Sequence, residues 1–354
     1  MKSNLKFFKK TRTLPVDKFF KNVLYSNRFG YYNSKLPLGY KGDFVTSPKI
    51  SSLFSEVIAI WIITVWELFD KPKNFNIVEL GPGDGSLTNI LLKSFKNFPE
   101  FNLIKKVFLY EESNFLKRVQ KKNISNKDVK WINSFDKIKK GPVVFFGNEF
   151  FDAIPIKQFK KINNTFLEKN YTLDKNNKIK ETFKKASSAN IKIIKSYKSI
   201  KDLRFIELPK YGFKELTKIT KKISKLTGCI LMIDYGYLKP NNQNTLQSVM
   251  NHKKNNLLEN LGNADITAHV NFGLLNEFFL KNGLKLKKIV TQQQFLTNMG
   301  IIKRAKILAR KMKFSEQSDL YLRIKRLISP VSMGSLFKVI LAYKFDKNDF
   351  SGFN

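Results

Sequence analysis

Apolar residues recur at helical spacing from Leu14 to Tyr32 and stop at Gly30, which predicts a helix that ends before a turn. The stretch Leu36-Pro37-Leu38-Gly39-Tyr40-Lys41-Gly42-Asp43-Phe44 is built from turn formers and reads as a loop. Pro48 suits the first turn of the next helix, whose apolar positions run through Leu53, Phe54, Val57, Ile58 and Trp61. Val57 to Trp66 is the most apolar run of the chain, yet it falls short of the roughly 20 residues a membrane span needs and ends at Glu67. It therefore reads as a buried helix.

The pattern then changes to short apolar runs separated by helix-length segments. Phe75 to Leu80 ends in glycines and is followed by Leu87 to Phe95 at helical spacing; Val107 to Tyr110, Val129 to Ile132 and Val143 to Phe146 are further strand-like runs. Between Pro155 and about Lys210 the chain turns polar and lysine-rich with Asn-rich turns, which predicts inserted antiparallel hairpins. A helix over Phe213 to Leu226 leads to a strand at Cys229 to Asp234. A helix beginning near Asn271, a strand at Leu284 to Val290, two basic amphipathic helices through Leu327 and a strand at Leu336 to Tyr343 complete the chain. The expectation is an α/β fold: a seven-stranded, doubly wound Rossmann-like sheet whose last two strands form an antiparallel edge. It divides into four segments, an N-terminal helical region with a covering loop (1–70), the first half of the sheet (71–154), the hairpin and helical insertion (155–227) and the second half with further helices (228–354).

Composition narrows the function. The 354 residues are 42% hydrophobic, enough to bury a large core. Sixty-five Lys and Arg against 28 Asp and Glu give a formal charge of +37, which in a clustered form would point to nucleic acid or an anionic surface. Here the lysines are spread along the chain beside many Asn, Ile and Phe, all spelled by A/T-rich codons, so base composition accounts for much of the charge. Cys229 is the single cysteine and reads as a buried strand thiol, which excludes an internal disulfide framework. Two histidines, His252 and His269, cannot build a His/Cys cage, and no metal is expected. The basic start Met1 to Lys10 lacks the apolar core of a secretory signal; a bacterial cytoplasmic protein is expected, or a mitochondrial matrix protein if the source is eukaryotic.

The turn Glu79-Leu80-Gly81-Pro82-Gly83-Asp84-Gly85 follows the first strand of the sheet. Gly81 and Gly85 reach conformations closed to other residues, and the bare Gly83 lets a ligand approach the backbone beside a helix N-terminus. A dinucleotide fingerprint requires G-x-G-x-x-G, whereas here an acid stands in the turn and would repel a pyrophosphate. Glu79 and Asp84 suit the cationic amino and sulfonium groups of S-adenosylmethionine. At the end of the next strand stand Glu111 and Glu112, and Glu111 is placed to accept hydrogen bonds from both ribose hydroxyls. After the fourth strand, Asn148, Glu149 and Asp152 occupy the position where open parallel sheets present chemistry. Methyl transfer is an in-line displacement, so residues there align an acceptor and steady its charge.

These residues sit within a longer series of blocks: Gly30-Tyr31-Tyr32, Gly42-Asp43-Phe44-Val45-Thr46, Val78 to Gly83, Asn148-Glu149-Phe150-Phe151-Asp152-Ala153, Ile233-Asp234-Tyr235-Gly236, Thr245-Leu246-Gln247, Ala264 to Val270 and Met333 to Val339. In order and over nearly the whole chain, the sequence resembles the MidA-like methyltransferases, a family that includes a mitochondrial arginine methyltransferase of complex I assembly. The resemblance implies S-adenosylmethionine as donor and, as acceptor, an arginine on a subunit of respiratory NADH dehydrogenase. It further implies a donor-covering loop containing Gly42, Asp43 and Thr46, with Asp234, Tyr235, Asp265 and His269 on the acceptor side. Asp84 departs from the Arg expected in many relatives, Ser55 from Gly and Asn271 from Asp.

A guanidinium stays protonated at any working pH, so paired carboxylates, Glu149 and Asp152 first, would hold it by bidentate hydrogen bonds while proton loss accompanies or follows transfer. His269 would assist, or else serve as a structural hydrogen-bonder. Two other classes compete. An RNA or DNA methyltransferase draws on the charge and on Asn148; a non-catalytic assembly factor would keep the fold and lose the donor.

Overall fold

The computed structural model describes residues 4–8, 11–34, 39, 42–43, 46–124, 128–239 and 241–353. The chain forms two units, each assembled from separate stretches: one from Val45–Phe150, Lys218–Gly236 and Phe279–Asn354, the other from Met1–Phe44, Phe151–Thr217 and Tyr237–Phe278.

The first unit is built on a mixed sheet. Its strands are β1 (Phe75–Leu80), β2 (Lys105–Tyr110), β3 (Val129–Ile132), β4 (Val143–Asn148), β5 (Gly228–Tyr237), β6 (Lys285–Leu286), β7 (Val290–Thr291) and β8 (Phe337–Lys344). The hydrogen-bonded path runs β6-β8-β5-β4-β1-β2-β3, with β7 also on β8. β5, β4, β1, β2 and β3 are mutually parallel, while β8 lies antiparallel to β5. All six residues of β1 and the first five of β4 are buried, as central parallel strands covered on both faces must be. The expected runs at Phe75–Leu80 and Val129–Ile132 match these strands end to end.

The sequence sets where three helices of this unit begin. α1 (Ser52–Leu68) starts where the Ser51 side chain accepts from the Leu53 N–H and buries Leu53, Phe54, Val57, Ile58 and Trp61. A separate short helix at Ser47–Ile50 carries Pro48 in its first turn, so the single helix expected from Pro48 onward is broken at Ser51, whose backbone is extended. α2 (Ser86–Phe95) starts from Gly85 in the left-handed region, and α3 (Asn114–Asn123) is capped by Ser113, which accepts from the Leu116 N–H.

Two further expectations are corrected here. Leu284 to Val290 is two short strands on β8 in place of one edge strand, and the basic region after it holds three helices, Gln292–Asn298, α4 (Ile301–Ala309) and α5 (Phe314–Ile328). Gly300 at φ +81° makes the break that the apolar periodicity does not reveal.

In the second unit, strands Thr13–Pro15, Thr165–Leu173, Lys157–Ile162 and Phe205–Leu208 lie in that order, and Ile179–Lys185 pairs with Thr165–Leu173. All the pairs are antiparallel, as the insertion predicts. Leu14 opens no helix. It pairs with Tyr171 as strand, and the helix covers only Val16–Tyr25. That helix packs Phe19, Phe20, Val23 and Leu24 with Phe7, Phe8 and Tyr171 into a core of its own. A smaller sheet joins Lys253–Asn255, Gln247–Met250 and Asp265–Thr267. The loop expected at 36–44 lies largely outside the described residues.

Candidate active site

The sheet unit places the glycine turn, two carboxyls and the end of β4 at the carboxyl ends of its central strands. Gly81, Gly83 and Gly85 have φ of +62°, +56° and +83°. A Cβ on Gly81 would lie 2.6 Å from the Phe150 ring, so the position is closed by packing as well as by backbone. The Gly81 N–H donates to Tyr110 O at 3.0 Å and Gly85 N–H to Pro82 O at 2.8 Å, which fixes the loop.

Glu79 is 3% exposed and accepts from the Thr88 hydroxyl. Burial, with the Asp84 and Glu111 charges adding to it, raises its pKa to about 8 against the opposing Thr88 hydrogen bond. Glu111 is raised by burial to about 7, although its carboxylate accepts from Ser113 N–H at 2.8 Å and from Gln120 Nε2 at 3.2 Å.

Gln120, which no motif in the sequence singles out, is the hub. Its amide also donates to Gly83 O at 2.8 Å, and its Oε1 accepts from Trp131 Nε1 at 2.9 Å. One fully buried side chain thus ties the glycine turn to the acid at the end of β2. No periodicity distinguishes such a glutamine on a helix from a solvated one.

Asp84 does something other than the sequence implies. Its Oδ1 accepts from Ser86 N–H at 3.1 Å at the start of α2, and its Oδ2 pairs with Lys49. The charge expected to face the donor is engaged instead by the helix start and by a lysine.

Asn148 and Glu149 end β4. Glu149 has φ +51°, a conformation that costs a non-glycine residue about 1 to 2 kcal/mol and marks a site where the fold holds a residue in place. Its carboxylate accepts from Asn148 Nδ2 at 3.0 Å and from Ser47 N–H at 3.2 Å. Asn148 Oδ1 is buried without a hydrogen-bond partner among the described residues. Asp234 on β5 is 1% exposed and accepts from the Tyr235 N–H at 2.9 Å. Thr46 precedes the short helix at Ser47 without capping it through its side chain.

The second unit gathers the other expected residues. Asp43 is buried and accepts from Tyr31 Oη at 2.5 Å and from Asn251 N–H at 2.7 Å; Gly42 donates its N–H to Gly39 O at 2.9 Å. Asp265, 1% exposed, accepts from Tyr32 Oη at 3.2 Å and from Ile266 N–H at 2.9 Å. Burial, then the nearby Asp152 charge, holds its carboxyl well above the usual range. Asp152 is buried beside it, and Tyr32 is raised first by burial and then by the Asp265 charge, with Asp152 adding to it. The structure therefore groups Asp152 with Asp265, Asp43, Tyr31 and Tyr32, whereas Glu149 belongs to the sheet unit.

His269, half-buried, donates its backbone N–H to Thr245 Oγ1 at 3.1 Å, and burial lowers the ring's pKa, so the neutral ring is favoured. It lines a cavity of about 590 Å³ with Thr245, Gln247, Ser248 and Asn255.

Five parallel strands with a glycine turn after a central one, a buried acid at the end of the next and polar side chains at the end of a third have the form of a nucleotide-type binding sheet. The family model of S-adenosyl-L-methionine-dependent methyltransferases matches residues 57–290, more than half of the chain, and the chain belongs to that family. It is similar to the mitochondrial protein arginine methyltransferase NDUFAF7 of Xenopus laevis, 29% identical over 93% of this chain and 81% of that one. The Caenorhabditis elegans homologue is 30% identical over 86% and 77%, and the Homo sapiens protein 29% over 93% and 80%. Its fold matches a crystal structure from Burkholderia thailandensis of a candidate methyl transferase bound to S-adenosyl-homocysteine, with TM-score 0.81 and 22% identity over 96% of this chain and 90% of that one.

The donor fits the residues present. Three left-handed glycines leave the turn backbone bare, buried carboxyls end β1 and β2, and Asn148 Oδ1 at the end of β4 lacks a donor among the described residues.

Proposed function

We propose that this protein transfers the methyl group of S-adenosylmethionine to a protein arginine, on a subunit of respiratory NADH dehydrogenase during its assembly. The reading is carried by the buried acids Asp152, Asp265 and Asp43 grouped with Tyr31 and Tyr32, a setting that favours a planar cation with several donors. That the relatives are protein arginine methyltransferases supports it. Bound donor supplies an electrophilic methyl on a sulfonium.

Glu79 balances the donor's cationic end, Gly81, Pro82, Gly83 and Gly85 cradle it, Glu111 accepts from the ribose, Asn148 offers its buried oxygen, and Gly42, Asp43 and Thr46 belong to the covering loop. Asp152 and Asp265 hold the guanidinium; Glu149 and Asp234 shape the acceptor side. A neutral His269 takes the proton that leaves during or after transfer. The seven strands along the sheet path serve as the doubly wound methyltransferase sheet, with residues 155–227 as the inserted substrate region and 1–70 as an N-terminal helical region that carries the donor-covering loop. The compartment is the bacterial cytoplasm, or the mitochondrial matrix in a eukaryote.

Purified protein incubated with methyl-labelled donor and the NADH dehydrogenase subunits tests the acceptor. Label recovered as methylarginine is expected; donor bound normally with no label on arginine contradicts the proposal. The charge of +37 favours a second reading, a nucleic-acid acceptor. Label in RNA that falls steeply with salt would establish that one instead.

A further inference from the structure

α4 and α5 carry an outward face that the donor chemistry does not use. α4 turns Ile301, Ala305 and Ala309 inward, and α5 turns Leu320, Ile324 and Leu327 into the same core. At about 100° per residue the opposite arc of α5 is centred on Leu322, flanked by Lys325 and Arg326 and with Phe314 at its start. Solvent-facing helix arcs are ordinarily polar. Here Phe314 is 84% exposed and Leu322 65%, and on α4 Ile307 is 47% exposed.

Charge accompanies these side chains. Between Ile301 and Ile328 stand nine Lys and Arg against only Glu316 and Asp319. Asp319 pairs with Arg323 on α5 itself, and Arg304 pairs with Glu56. On the outward arc of α4, Ile307 lies among Lys303, Lys306 and Arg310, all exposed.

Exposed apolar side chains interleaved with cations fit one partner best. Nucleic acid would use the cations and stack on Phe314, but Leu322 and Ile307 gain nothing from phosphates. A second copy would bring two strongly positive faces together. The headgroup region of an anionic bilayer takes both parts, acyl chains for Leu322 and Phe314 and lipid phosphates for the basic residues. We propose that the outward face of α4 and α5 is a docking surface for an anionic phospholipid bilayer. Each basic residue brought to such a surface contributes about fivefold in affinity, and each inserted Phe or Leu side chain about tenfold or more.

The test is co-sedimentation of the full chain with vesicles of phosphatidylcholine and phosphatidylglycerol in equal parts, and with phosphatidylcholine alone. Binding to the mixed vesicles only is expected, weakening as salt rises. The double variant Phe314→Ser with Leu322→Ser, which removes exposed side chains alone, is expected to lower partitioning about a hundredfold. Its circular dichroism, melting temperature and calorimetric affinity for S-adenosylmethionine stay unchanged. Unchanged partitioning of that variant would overturn the proposal, because binding would then be diffuse charge attraction. So would single-stranded RNA binding without vesicle binding, or a dimer dissolved by the same two substitutions in a protein that ignores vesicles.

Discussion

With Glu79 in its proposed place beside the donor's cationic end, donor binding is expected to be proton-linked. Its carboxyl is buried and its pKa stands at about 8, so at pH 7 only about one molecule in ten carries the carboxylate. A sulfonium and an ammonium favour the ionised form, and ribose hydroxyls favour ionised Glu111, whose pKa stands at about 7. Binding therefore expels protons. Affinity should tighten about tenfold from pH 7 to 8, more steeply below pH 7 where Glu111 joins, and level off above pH 8. Glu79→Gln keeps the shape and removes the charge. A contact ion pair at an effective dielectric near 20 is worth about 4 kcal/mol, and about one decade of that is spent on deprotonation at pH 7. The variant should bind about a hundredfold more weakly at pH 7 and closer to a thousandfold at pH 9, keeping only the slope below pH 7. Calorimetry in buffers of different ionisation enthalpy reads both the constant and the protons released. A wild-type affinity flat from pH 6 to 8, with Glu79→Gln binding equally well, would refute the reasoning.

The same carboxyl sets the stability of the donor-free protein. A folded pKa raised from 4.5 to about 8 means that the folded state holds the proton more tightly, so its contribution is intact below pH 4.5 and is lost as pH rises through 8; thermal melts should show Glu79→Gln flattening that decline. Gly81→Ala meets both φ +62° and the Phe150 ring, and should cost about 1 to 2 kcal/mol or more in chemical denaturation and abolish donor binding. Gln120→Ala removes the bridge from Gly83 to Glu111 and Trp131; donor affinity by calorimetry should fall about tenfold, with a stability loss of about 1 to 3 kcal/mol. Asp265→Asn should lower kcat/KM for the acceptor about a hundredfold while donor affinity holds, and an equal loss of both would remove Asp265 from the acceptor side.

Strand runs closed by glycine or proline are legible because a covered parallel strand is apolar throughout, and Phe75–Leu80 shows it directly. Leu14 is not, because its strand partner Tyr171 lies far along the chain and Leu14 continues the apolar spacing of the helix beside it. Leu284 to Val290 looks continuous since Lys285 and Lys287 alternate with apolar residues, yet its ladder pairs with β8 form two separate strands, at Lys285–Leu286 and at Val290–Thr291. In the site, glycines and acids at strand ends announce themselves by position. Gln120 and Thr88 do not, because their value lies in the groups they reach, Gly83 O and the Glu79 carboxyl. Asp84 misleads for the complementary reason: an acid in a glycine turn reads as a ligand contact until its oxygens are traced to Ser86 and Lys49. Pairing Glu149 with Asp152 rests on their closeness in sequence, whereas the fold sets Asp152 beside Asp265.

The acceptor is tested most directly by mass spectrometry of respiratory NADH dehydrogenase subunits from cells with and without this protein. One arginine is expected to be methylated in the first and unmethylated in the second, restored by the wild-type chain and not by Glu79→Gln. An identical arginine methylation pattern in both, with donor binding intact in the purified protein, would contradict arginine transfer to these subunits.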